Sequence, residues 1–209
     1  MKVLSIDFDY IMAPCIKLYN NYVCGDENAT VQWNDLESRL DISSFLSYDA
    51  NSLIEIASLI LRNVKNGAKF ISIKEHQEII PAISHCDDIE LVNIDFHHDI
   101  MYGPVSKVNI ADFDKYSCAD WVGYLFMKKK LSSYTWIKAP QSDPYHQELM
   151  EIDYNVGSHR DIKDLPNDFD YVVFCLSPQW VPYRYQHLYD LIVRMAEEVV
   201  QNDECPVFN

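Results

Sequence analysis

Apolar runs at residues 3–9, 69–73, 90–95 and 171–176 alternate along the chain with stretches of helical periodicity. A strand, a helix and a further strand return to one sheet by a crossover. The alternation therefore predicts a parallel sheet with helices on both faces, a three-layer α/β/α arrangement. With 209 residues and 48% hydrophobic content, the whole span 1–209 is expected to form one domain around one sizeable core.

The first run, 3–9, is apolar on both sides and reads as a buried strand. Residues 10–48 carry Gly25-Asp26-Glu27-Asn28 and Trp33 with weak periodicity. They read as a long excursion of the kind that carries binding residues. Ser52-Leu53-Ile54-Glu55 has the form of a capping box. The helix it would open has its stripe at Leu53, Ile56, Ala57, Ile60 and Val64, and Gly67 follows its end. After the strand 69–73 comes His76, then a helical piece that Pro81 should break. Residues 119–130 read as helical and 134–138 as extended. The last helix, 185–200, has a predicted stripe at Leu188, Leu191, Ile192, Met195 and Val199.

The formal charge of −15, from 32 acidic and 17 basic residues, argues against a nucleic-acid groove or an anionic membrane surface and favours cationic ligands. An acid at residue 7 leaves no apolar stretch for a signal peptide, and no run is long enough to cross a membrane. Cysteines 15, 24, 86, 118, 175 and 205 show no Cys-x-x-Cys spacing. Reduced thiols in a cytoplasmic protein are expected, and a zinc-thiolate site is not.

Six polar residues stand at or just beyond strand ends: Asp7 and Asp9 in Ser5-Ile6-Asp7-Phe8-Asp9, His76 after the second strand, and Asp95, His97 and Asp99 in Asp95-Phe96-His97-His98-Asp99. Ligands of an open parallel sheet bind outside the carboxyl ends of its strands. Alternate residues of an extended chain face the same way, so each motif can present its side chains together. Four carboxylates and two imidazoles suffice for two divalent ions if two carboxylates bridge. The oxygen-rich set favours Mn²⁺, with Fe²⁺ as an alternative. His98 alternates to the other side and reads as structural.

The same three elements resemble those of arginase-like ureohydrolases, which carry an isolated His, an Asp-x-His-x-Asp and a later Ser-x-Asp-x-Asp. Here the Ser-x-Asp-x-Asp comes first, a permuted order similar to that of the peptide arginases. Asp120-Trp121-Val122 at a helix start and Ser177-Pro178-Gln179-Trp180-Val181-Pro182 after the late strand extend the likeness over most of the chain. The resemblance implies an arginase/deacetylase-like fold in a single ureohydrolase-like domain. It also implies two Mn²⁺ ions with Asp95 and Asp7 bridging, His76 and Asp99 on one ion, and His97 and Asp9 on the other. The implied reaction converts arginine side chains of a ribosomally made precursor peptide to ornithine and urea, with Asp99 as the catalytic proton carrier.

Two departures bear on substrate and mechanism. Free-amino-acid arginases have an Asn two residues beyond the last Asp of the motif, whereas Met101 stands here, which favours an arginine embedded in a peptide. They also have a shuttle His shortly afterwards, and no His occurs between His98 and His146. Candidate substrate-binding residues are Asp26 and Glu27, as carboxylates for a guanidinium, and Trp121, with Trp33 as a second aromatic. Two alternatives remain open. One is a haloacid-dehalogenase-like Mg²⁺ phosphatase, suggested by the N-terminal Asp7-x-Asp9. The other is a non-catalytic acidic peptide-binding module on the same fold.

Overall fold

The computed structural model describes residues 1–12, 29–39, 47–100, 118–142 and 154–203. Six strands, β1 (Lys2–Asp7), β2 (Lys69–Ile73), β3 (Ile89–Asp95), β4 (Leu131–Lys138), β5 (Asn155–Gly157) and β6 (Tyr171–Cys175), form one sheet in the order β2-β6-β1-β3-β4-β5. Every neighbouring pair is parallel. The helices are α1 (Ala29–Arg39), α2 (Ala50–Lys65), α3 (Ile80–Ile83), α4 (Trp121–Met127) and α5 (Tyr183–Asp203).

Period-two alternation in the strands supplies two apolar faces, one for each helix layer. Leu4, Ile6, Ile94, Val172 and Phe174 pack with Ile56, Leu59 and Ile60 of α2 and with Ile192 and Ala196 of α5. On the opposite face Val3, Leu91, Val173 and Cys175 pack with Ile80 and Ile83 of α3 and with Trp121, Val122 and Leu125 of α4. The expected three-layer α/β/α architecture is thus the observed one. No helix among the described residues is long and apolar enough to cross a membrane.

Several local expectations are corrected. The first strand stops at Asp7, and Phe8–Met12 turn as a 3-10 helix; the Asp9 N–H donates to Asp7 Oδ1 at 3.0 Å, which bends the chain out of the sheet. Helix α2 is capped by Asp49, not by Ser52. The Asp49 carboxylate accepts the N–H groups of Asn51 and Ser52 and the Ser52 hydroxyl. A charged acceptor at the positive end of the helix outcompetes a hydroxyl three residues further in. Glu55 is then free of any capping role and pairs with His159 and Lys163, each at 3.1 Å. Gly67 does follow the helix end, with φ +95, the left-handed position that favours glycine.

Pro81 lies in the first turn of α3 and starts that helix instead of breaking it. In α5 the predicted stripe is rotated. Leu191 and Met195 are exposed, and the buried row is Tyr189, Ile192 and Ala196. Tyr189 explains the rotation, because its hydroxyl donates to the strand-end carbonyls of Ile73 and Phe174 at 2.9 and 3.0 Å. A tyrosine can face the core when its hydroxyl finds such partners.

Strand order also fixes where a ligand can bind. From β1 the chain passes to β2 on one side of the sheet, whereas from β3 it passes to β4 on the other. The crevice at the carboxyl ends of β1 and β3 is therefore a topological switch point.

Candidate metal centre

The carboxyl ends of four adjacent strands are level. Ile73 and Asp7 both lie opposite Cys175, and Ile6 lies opposite Ile94. The next residues, Asp7 and Asp95, thus leave β1 and β3 side by side at the switch point. One pleat below, Ser5 and Asn93 face the same way and support the ligands. Asn93 Nδ2 donates to Asp95 Oδ2 at 3.0 Å, and Ser5 Oγ lies 3.4 Å from His76 Nε2.

His76 opens the 3-10 helix His76–Ile79 after β2 and is buried. Its Nδ1 faces three carboxylates: Asp99 Oδ2 at 3.0 Å, Asp7 Oδ2 at 3.3 Å and Asp95 Oδ2 at 3.4 Å. Groups behind the ligands hold them in place. Ser177 Oγ donates to Asp7 Oδ2 and Trp121 Nε1 to Asp99 Oδ2, both at 2.6 Å. The Asp99 carbonyl accepts the N–H groups of Val122 and Gly123 at the start of α4. Asp99 and Ser177 both have left-handed φ, +51 and +46, which is uncommon for residues other than glycine and is sustained only by surrounding contacts.

The second pole is built on His97. Its Nδ1 lies 3.0 Å from Asp9 Oδ2 and 3.9 Å from Asp95 Oδ1. Asp95 therefore presents one oxygen to each imidazole, Oδ2 to His76 and Oδ1 to His97. Side chains of β4 and the segment after it pin this loop. Trp136 Nε1 donates to Asp95 O, Tyr134 Oη to His98 O and Ser142 Oγ to Phe96 O, at 3.0, 2.9 and 2.8 Å. Trp180 packs on the His97 ring with centroids 4.5 Å apart. His98 points away, as expected, and accepts the Ile100 N–H at Nδ1. Burial, with His97 nearby, lowers its pKa to about 4, so its ring is neutral.

Burial is the largest cause raising all four carboxyl groups. Asp9 reaches about 8, with Asp99 adding repulsion, and Asp99 about 7. Asp7 and Asp95 lie well above the ordinary carboxylate range, pushed further by their acidic neighbours. Like charges within 4.8 Å, the span of each cluster, repel by about 3–4 kcal/mol at an effective dielectric near 20. Two imidazoles can neutralise at most two of four carboxylates.

A divalent cation fits this donor set. One imidazole nitrogen can give a proton to only one of the three carboxylates around it, whereas its lone pair and all three can be directed at a cation. Asp9 Oδ2, fully buried and 3.0 Å from His97 Nδ1, fits the same reading at the second pole. The ligand atoms form three overlapping groups able to hold a metal ion: His76/Asp95/Asp99, Asp9/Asp95/His97 and Asp7/His76/Cys175. Cys175 enters from β6, where burial and the Asp7 carboxylate raise its thiol pKa well above its usual value.

All six expected ligands thus come together. Trp121, expected at a substrate surface, is fully buried and holds Asp99. Trp33 is likewise buried, its indole donating to Gln179 O at 3.2 Å. Asp26 and Glu27 lie outside the described residues. Sequence reasoning missed Ser5, Asn93, Cys175 and the role of Ser177. The first two were detectable as polar residues two positions before a ligand in otherwise apolar strands. Among the described residues Cys86, Cys118 and Cys175 are free thiols. Comparison with protein-family models, curated proteins and solved structures finds no match to the chain.

Proposed function

We propose that the protein is a binuclear, Mn²⁺-dependent hydrolase that releases urea from peptidyl arginine and leaves ornithine. The observation that carries this reading is the division of Asp95 between two carboxylate-imidazole poles, one oxygen toward His76 and one toward His97. Asp95 would hold both ions, His76, Asp7 and Asp99 the first, and His97 and Asp9 the second. Asp7 is the second candidate bridge by resemblance; its Oδ2 lies at the His76 pole and its Oδ1 accepts the Asp9 N–H.

Two divalent ions in such a site supply Lewis-acid polarisation and a water whose pKa falls from 15.7 toward about 7. Addition of water to the guanidinium carbon and cleavage of its bond to the side-chain nitrogen would yield urea and an amine. Asp99 would carry the transferred proton to the leaving nitrogen. Burial raises the pKa of the metal-free Asp99 carboxyl to about 7, and a bound cation would lower it again. Trp121 positions the carboxylate by its short hydrogen bond.

A peptide substrate is supported by Met101, which cannot hydrogen-bond the amino-acid end of free arginine, and by the net charge of −15, which attracts basic segments. The phosphatase alternative gives His76 and His97 no role. Incubation with Mn²⁺ and arginine-containing peptides tests the proposal, read by mass spectrometry for the mass lost when a guanidino group becomes an amino group. Loss from peptides without urea from free arginine is expected. Urea from free arginine alone overturns the peptide part, and p-nitrophenyl phosphate turnover with Mg²⁺ but no urea overturns the reaction.

A further inference from the structure

We propose that Gln179 and Glu75 form an acceptor pair that reads the guanidinium head group beside the His76 pole, a proposal that rests on the reading of the substrate given above. Gln179 is 2% exposed, and its Oε1 is buried without a hydrogen-bond partner. Its Nε2 donates to Glu75 Oε2 at 3.1 Å and lies 3.8 Å from Cys118 Sγ. A carboxylate only accepts, so this bond fixes which end of the amide is nitrogen and turns the oxygen the other way.

The backbone of Gln179 is held on both sides. Ser177, in left-handed conformation, anchors to Asp7; Trp180 N–H donates to Ser177 O and the Trp180 ring packs on His97; Trp33 donates to Gln179 O. Glu75 is fixed by its place directly before His76. The turn thus spans both poles, and the buried, unpartnered amide oxygen belongs to a side chain whose nitrogen is bonded to a half-buried carboxylate.

Two adjacent acceptors, one charged, complement a planar cation that has five N–H donors and no acceptor. The same pair discriminates. A ureido group can offer N–H donors but carries no positive charge, and an ammonium, as in the ornithine product, presents its donors from a single point. The pair therefore favours substrate over product, which aids release.

The test titrates metal-free protein with propylguanidinium, propylammonium and propylurea, which separates recognition from turnover. Wild type should prefer propylguanidinium, and Gln179→Leu and Glu75→Gln should each bind it roughly tenfold to a hundredfold more weakly. Gln179→Glu, which retains acceptors at the position, should bind it at least as tightly as wild type and serves if the leucine variant fails to fold. With Mn²⁺ and a capped arginine peptide, Gln179→Leu should raise KM more than it lowers kcat.

Equal binding by wild type and Gln179→Leu, weaker binding by Gln179→Glu, or equal affinity for propylurea overturns the proposal. Loss of propylguanidinium binding in the variants, with no urea from any peptide, would leave the reader standing and remove the reaction. Urea release by Gln179→Leu at unchanged KM would do the reverse.

Discussion

The two poles of the centre share Asp95 but differ in how they are enclosed. The His76 pole is sealed: its imidazole is 2% exposed, three carboxylates converge on one nitrogen, and an indole, a hydroxyl and a thiol lie behind them. The His97 pole is more open, with the His97 side chain 19% exposed, one principal carboxylate and Trp180 packed on the ring. A buried ligand set held by further hydrogen bonds resists rearrangement, whereas an open one admits solvent and exchanges its ion more readily. The contrast predicts tighter metal retention at the His76 pole than at the His97 pole.

The largest effect should come from the residue the poles share. Asp95→Ala should abolish binding of both ions and all turnover, measured by metal content after gel filtration and by urea release. If it retained one tightly bound ion, the poles would be independent. Next, His76→Ala and His97→Ala should differ. The first should remove the tighter ion and strongly lower the melting temperature of the Mn²⁺-loaded protein, while the second should lower occupancy toward one ion with a smaller shift. Equal losses would erase the distinction.

Trp121→Phe keeps the packing and removes the donor to Asp99, so metal affinity should fall by about 10–100-fold, as for other groups that orient ligands. The indole bond lowers the Asp99 pKa, and its loss should move the acidic limb of the activity profile to higher pH. An unmoved limb would take Asp99 out of proton transfer. A further test is the pH dependence of the metal-free protein. The folded-state carboxyl pKa values lie above the unfolded value near 3.9. Their contribution to stability is therefore fully present below about pH 4 and is lost as pH rises through about 7 and 8, the values of Asp99 and Asp9. Thermal melts should show falling stability over that range, and Mn²⁺ should stabilise more at pH 8 than at pH 5, because binding displaces the protons.

The parallel sheet was legible because Ile6, Ile94 and Phe174 sit in short runs apolar on both sides, which only a doubly covered strand requires. The ligands were legible because each follows such a run. What escaped was set by tertiary contacts without a local signature. The left-handed turn at Ser177 brings a hydroxyl to Asp7 across 170 residues, and Trp121 meets Asp99 only after α4 packs on the sheet. Asp49 displaced Ser52 as a cap, although both are acceptable cap residues in sequence. Tyr189 took a core position that the pattern assigned to Leu191, since its two carbonyl partners lie on β2 and β6.

Electron paramagnetic resonance of the Mn²⁺-titrated protein tests the shared centre most directly. Two bound ions per chain with the spectrum of an exchange-coupled pair, replaced in Asp95→Ala by the signal of free Mn²⁺, is the predicted result. Saturation at one ion per chain with the spectrum of an isolated Mn²⁺ would contradict a centre bridged by Asp95.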